Sequence, residues 1–111
     1  MMMNNFVINI GLNNNPKSVN NIVNDMFNYF VYTEAFYIMD SEYKGEKEKT
    51  IVFEGKTSFD IFEVVMVLQN FCERYKQESI AIKSDHYDLL IYNIEYKGEK
   101  MKFNNKYFKQ R

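Results

Sequence analysis

The chain has 111 residues, 46% hydrophobic and 17% aromatic, so it is too apolar for intrinsic disorder and long enough for one core but not two. One cysteine excludes an intramolecular disulfide framework, and an apolar run as long as Val64 to Leu68, which no other exceeds, is far short of the ~20 residues that span a membrane. The formal net charge of −1 excludes a uniformly basic nucleic-acid binder.

In chain order, Phe6, Ile8, Ile10 and Leu12 alternate with Val7, Asn9 and Gly11, the period of a half-buried strand. Asn15-Pro16 suits a helix start, with Ser18 as a second candidate cap. Val19, Ile22, Val23, Met26, Phe27 and Phe30 then recur at spacings of three and four, which predicts an amphipathic helix. Its opposite face is Asn20, Asn21, Asn24, Asp25 and Asn28.

A second strand is predicted from Ala35 to about Ser41, with Phe36 and Ile38 facing one way and Tyr37 and Met39 the other. The Lys44-Gly45-Glu46-Lys47 turn should join it to a third strand at Ile51-Val52-Phe53 as a hairpin. Thr57 with Asp60 resembles a capping box with Asp in place of Glu. The second helix should bury Ile61, Val64, Val65, Leu68, Phe71, Cys72 and Tyr75 and end near Lys76. Ser79–Lys83 and Tyr87–Tyr92 read as strands joined by a turn at Ser84-Asp85-His86. Lys100 to Phe103 alternates as a short edge strand, and 106–111 is expected to fray unless Tyr107 and Phe108 dock, in a basic, partly mobile end at 101–111.

This β-α-β-β-α-β order predicts a single α+β domain over 1–111. The expected plan is ferredoxin-like (split βαβ): an antiparallel sheet, two helices on one face and extra C-terminal strand or strands. The segment Glu42-Tyr43-Lys44-Gly45-Glu46-Lys47 recurs identically at 95–100, and reads as two similar strand-to-turn exits, with a shared binding role for the two loops as the alternative.

The charge is unevenly placed. Residues 1–33 sum to zero, 34–96 carry 13 acids and seven bases, and 97–111 carry six bases and one acid. Asn occupies 14 positions, and Asn, Lys, Ile, Tyr and Phe all have AT-rich codons, so the bias reads as genome composition of a bacterium or its phage. The opening Met-Met-Met-Asn-Asn lacks the basic and apolar regions of a signal peptide, so the cytoplasm is the expected compartment.

Chemistry-bearing motifs are scarce. With one His and one Cys there is no zinc set, and no phosphate loop, calcium loop or dinucleotide fingerprint is present, so neither cofactor nor metal is expected. Cys72 lies on a buried stripe, where a thiol acts as a small hydrophobe. Ser84-Asp85-His86-Tyr87-Asp88 could orient an imidazole for general-base work in a small hydrolase or nuclease, but the same residues build a tight turn.

Three function classes follow. The first is a non-enzymatic protein that acts sterically on a protein partner, as an accessory or inhibitory protein of a phage would. Its candidate surfaces are the charge-poor face of Asn20, Asn21, Asn24 and Asn28 and a sheet face carrying Tyr37, Tyr87 and Tyr92, with a homodimer through an edge strand or the sheet face as a further option. The second is single-stranded nucleic-acid binding through the sheet and the basic aromatic end, Lys100, Lys102, Phe103, Lys106, Tyr107, Phe108 and Lys109. The third is the hydrolase built on His86.

Overall fold

The computed structural model of the chain describes residues 3–12, 19–43, 45–93 and 109–110. Over these residues the chain forms strands β1 (Asn4–Gly11), β2 (Tyr32–Tyr43), β3 (Glu46–Thr57), β4 (Ser79–Ser84), β5 (Tyr87–Tyr92) and β6 (Lys109–Gln110). Helix α1 (Val19–Tyr29) joins β1 to β2, and α2 (Ile61–Arg74) joins β3 to β4. No described helix is long and apolar enough to cross a membrane.

The strands make one sheet in the order β2-β3-β1-β4-β5-β6, antiparallel at every junction. Because β3 lies antiparallel between β1 and β2, those two run parallel, and α1 is the crossover between them. By the same logic β3 and β4 run parallel across β1, with α2 as their crossover. The helices touch each other through Tyr29 and Phe71, whose rings meet edge-on at 5.5 Å, and share one core, so both lie on one face of the sheet.

The period-two pattern decides which side chains enter that core. Phe6, Ile8 and Ile10 of β1 stand opposite Gly55, Phe53 and Ile51 of β3, and Ile8 stands opposite Ile82 of β4. All of these point under the helices and are buried. From above, Ile22, Met26 and Phe30 come down from the α1 segment and Val64, Leu68, Phe71 and Cys72 from α2. Each large side chain buried there contributes about 1.5–3 kcal/mol by leaving water. Ring contacts tie the layers: Phe30 meets Phe6 at 5.3 Å and Phe59 at 5.4 Å.

Several local expectations are revised. The α2 N-cap is Asp60, not Thr57: the Asp60 carboxylate accepts from the Glu63 N–H at 2.9 Å, and the Glu63 carboxylate accepts from the Asp60 N–H at 3.2 Å. Thr57 instead accepts from the Phe59 N–H at 3.1 Å, one residue pair too early to cap. Strand β2 begins at Tyr32 rather than Ala35, because a register shift between Thr33 and Ala35 breaks the alternation. Thr33 and Phe36 therefore both face the helices despite odd spacing, and Thr33 donates to the Phe30 carbonyl at 2.6 Å. Phe27 is not a core residue; it is 40% exposed at the flank of α1, edge-on to Phe36 at 6.2 Å.

At the C-terminal end, residues 109–110 pair with Tyr87 and Asp88, and the rest of 106–111, where fraying is expected, lies outside the described residues. The expected strand at 100–103 and the second copy of the six-residue repeat lie outside the described residues. Of the first copy, Glu42 and Tyr43 end β2, Glu46 and Lys47 begin β3, and Gly45 takes φ +81°, a conformation that favours glycine.

Candidate functional site

The charge-poor helix predicted from the Asn spacing is in place. Burying Ile22, Met26 and Phe30 turns Asn20, Asn21, Asn24 and Asn28 to the outside, where all four are exposed. The one charge on α1, Asp25, is taken up by α2. Arg74 donates to its carboxylate at 2.8 Å and the Tyr75 hydroxyl donates to the same oxygen. Burial pushes the Asp25 carboxyl up, but the hydrogen bonds from Tyr75 and Arg74 and the guanidinium charge outweigh it and hold the group below its ordinary 3.8. Tyr75, half-buried and beside that carboxylate, is pushed up to about 12.

Helix α2 continues the surface. Phe62 and Met66, one turn apart on its outer side, are 77% and 71% exposed, and Val64 to Cys72 carries no charged residue. Glu63, at the helix start, is engaged in the cap. The outer side of the helix layer thus presents amides and large apolar groups, with Arg74 and Asp25 paired to each other at its border and Glu73 an exposed charge seven residues on from Met66. Charge depletion with apolar anchors is the signature of an interface centre. Phe62 and Met66 were not singled out from the sequence. The signal was available: they are apolar, four apart, and fall off the buried stripe.

The three tyrosines assigned to the sheet do not form one patch. Tyr37 stands exposed on the face away from the helices, its hydroxyl donating to Glu54 at 3.3 Å. Tyr92 is half-buried on that same face, but β3, β1 and β4 separate it from Tyr37, about 19 Å at ~4.8 Å per strand. Tyr87 offers no contact surface: with Leu89 and Ile91 it points under the helices and is 7% exposed. Its phenol is pushed up by burial, against the Ser84 hydrogen bond.

At the His86 cluster the geometry is that of a turn. The buried Ser84 hydroxyl accepts from the N–H groups of His86 and Tyr87 at 3.3 and 3.2 Å. Asp85 turns to β1, accepting from the Asn5 N–H at 2.8 Å. His86 is exposed, and the neighbouring acid that could have oriented its ring is committed to β1. Among the described residues no group of three His, Cys, Asp or Glu side chains is placed to hold a metal ion.

Cys72 is fully buried, its thiol 3.6 Å from the Ile91 carbonyl, and burial, with the Glu73 charge, pushes it up to about 12. A thiol so protonated is a poor nucleophile. Along the hairpin, a shallow concavity is lined by Asp40, Ser41, Glu42, Lys47, Glu48 and Lys49. Lys49 pairs with Asp40 there at 2.6 Å, and Glu48, raised by burial, rests against Gly11, where a Cβ would stand 2.7 Å from its carboxylate. Of the basic end, Lys100, Lys102, Phe103, Lys106, Tyr107 and Phe108 lie outside the described residues, and Lys109 is in β6 opposite Asp88.

No family model, no curated protein and no solved structure matches the chain.

Proposed function

We propose that the chain is a non-enzymatic binding protein that acts sterically, its helix layer docking on a protein partner. The observation that carries this reading is the exposure of Phe62 and Met66 on an outer surface whose remaining residues are mainly amides. Two large apolar side chains held out on a rigid helix, exposed in the folded as in the unfolded chain, contribute little to the stability of the domain itself. Removed from water by a partner, each is worth about 1.5–3 kcal/mol. The partner's complementary surface would be apolar at its centre, with backbone or side-chain groups to meet Asn20, Asn21, Asn24 and Asn28, and without a strong charge of either sign.

The same reading takes the body as the ferredoxin-like plan. Its support is the strand order β2-β3-β1-β4 with each helix crossing over one intervening antiparallel strand. A phage or mobile-element accessory role would suit so small a steric body, and its support is compositional.

The test is capture from a nuclease-treated lysate of the native source on immobilised full-length chain. The reading expects a protein retained in near-stoichiometric amount, lost when Phe62→Ser and Met66→Ser are combined. Retention that nuclease abolishes would favour single-stranded nucleic-acid binding through the basic end instead.

A further inference from the structure

Strand β2 closes one side of the sheet, and among the described residues only β3 pairs with it. Proteins blunt such edges with charge, proline or bulges. In β2 these devices sit only at the ends of one run: the register shift beside Glu34 on one side, and the Asp40–Lys49 ion pair on the other. Between them, Ala35-Phe36-Tyr37-Ile38-Met39 has no charge, proline or glycine. The run is exposed on both faces, with Phe36 and Ile38 at 46% and 48% on the helix side and Tyr37 and Met39 at 46% and 47% on the other. We infer that this edge pairs antiparallel with the same edge of a second copy of the chain, about a two-fold axis at Tyr37. The inference uses a different surface from the helix layer and is independent of it.

The register follows from the sequence of the run. Antiparallel self-pairing sets residues opposite each other symmetrically about the axis, and only an axis at Tyr37 places all five uncharged residues opposite one another. An axis at Phe36 would set Ile38 against Glu34, and one at Ile38 would set Phe36 against Asp40; either puts a carboxylate on an apolar side chain. With Tyr37 on the axis, Phe36 of each copy meets Ile38 of the other, beside the Phe27 ring that already stands edge-on to Phe36. Ala35 meets Met39 on the opposite face, flanking the two tyrosines. Beyond the run, Glu34 of one copy reaches Asp40 of the other, and Lys49 offsets part of that repulsion while the like charges end the pairing.

The run supplies the area of a weak dimer. Within it Phe36, Tyr37, Ile38 and Met39 are each about half exposed. At about 150–250 Å² for a large side chain this is about 400 Å² per copy, half of the ~800 Å² per partner of a standard interface, so main-chain hydrogen bonds between the edges supply the rest. The contact is isologous, so pairing consumes the edge in both copies and closes at two.

The test uses the full chain alone, by sedimentation equilibrium from micromolar to hundreds of micromolar, with folding of each variant checked by circular dichroism. The inference predicts a species of twice 13.4 kDa, a dimer at least about tenfold weaker in Ile38→Lys, and one unchanged by Phe62→Ser with Met66→Ser. Tyr37→Cys should form an intermolecular disulfide under mild oxidation, since residues directly opposite sit about 4.5–5.5 Å apart between Cα atoms. Ala35→Cys should not, its copies lying about 14 Å apart at this register. The wild-type chain, with Cys72 buried, is the uncrosslinked control. A monomer throughout would overturn the inference. So would a dimer that Tyr37→Cys does not link, or one lost with Phe62→Ser and Met66→Ser. A monomer that still captures a partner through Phe62 and Met66 would overturn this inference alone. Because cross-linking is read on a variant that keeps Ile38, failure of Ile38→Lys to fold leaves the decision intact.

Discussion

Arg74 at the end of α2 donates to the Asp25 carboxylate of α1 across 2.8 Å, and Tyr75 beside it donates to the same oxygen. This contact joins two helices that are far apart in sequence, and it removes the only formal charge from α1. Asp25 has a lowered folded-state pKa, so its contribution is fully present above the unfolded value of 3.8 and is lost as pH falls through the lowered one. Tyr75 works in the opposite sense: raised to about 12, it contributes below its ordinary 10.0 and loses that as pH rises through 12. Asp25→Asn should cost about 1–2 kcal/mol at neutral pH and flatten the acid limb of stability, as measured by urea denaturation between pH 7 and 3.

Gly55 tests the bulge that lets β2 reach Tyr32. A Cβ there would stand 2.5 Å from the Tyr32 carbonyl oxygen and 2.7 Å from the Thr33 Cα, both main-chain atoms that cannot swing aside. Gly55→Ala should therefore destabilise by about 1–3 kcal/mol, against the small gain alanine gives in an unfolded chain. Thermal unfolding reads the difference, and Gly45→Ala, with open space but positive φ, should cost less.

The turn reading of residues 84–86 separates two substitutions. Ser84→Ala leaves the N–H groups of His86 and Tyr87 without their acceptor and should cost about 1–2 kcal/mol. His86→Ala, at an exposed position, should stay within about 0.5 kcal/mol. Equilibrium unfolding of both variants checks the contrast.

Cys72 should resist thiol reagents in the native protein and react at the free-thiol rate in urea, because its thiol is buried and raised to about 12. Ellman's reagent followed with time measures both rates.

Much of this architecture was legible because it rests on local periodicity. The alternation of Phe6, Ile8 and Ile10, the α2 stripe through Leu68 and the glycine turn at Gly45 each report a surface that must be buried or a conformation that must be reached. What stayed hidden depends on pairing partners. The bulge at Glu34 masks the start of β2 because it shifts the period by one. Tyr87 looked like a surface tyrosine because a phenol suits either face, and only the register with β4 turns it inward. The site was legible in half: the Asn face of α1 follows from the buried stripe. Phe62 and Met66 did not stand out because apolar residues in an amphipathic helix read by default as core.

The helix layer as a docking face is tested most directly by the affinity of the captured protein for wild-type chain against the combined Phe62→Ser and Met66→Ser variant, by calorimetry on folded samples. Anchors at an interface centre predict a loss of at least about thirtyfold, the ~2 kcal/mol of a hot spot, with the unfolding free energy unchanged within about 0.5 kcal/mol. Equal affinity for both chains would contradict the account.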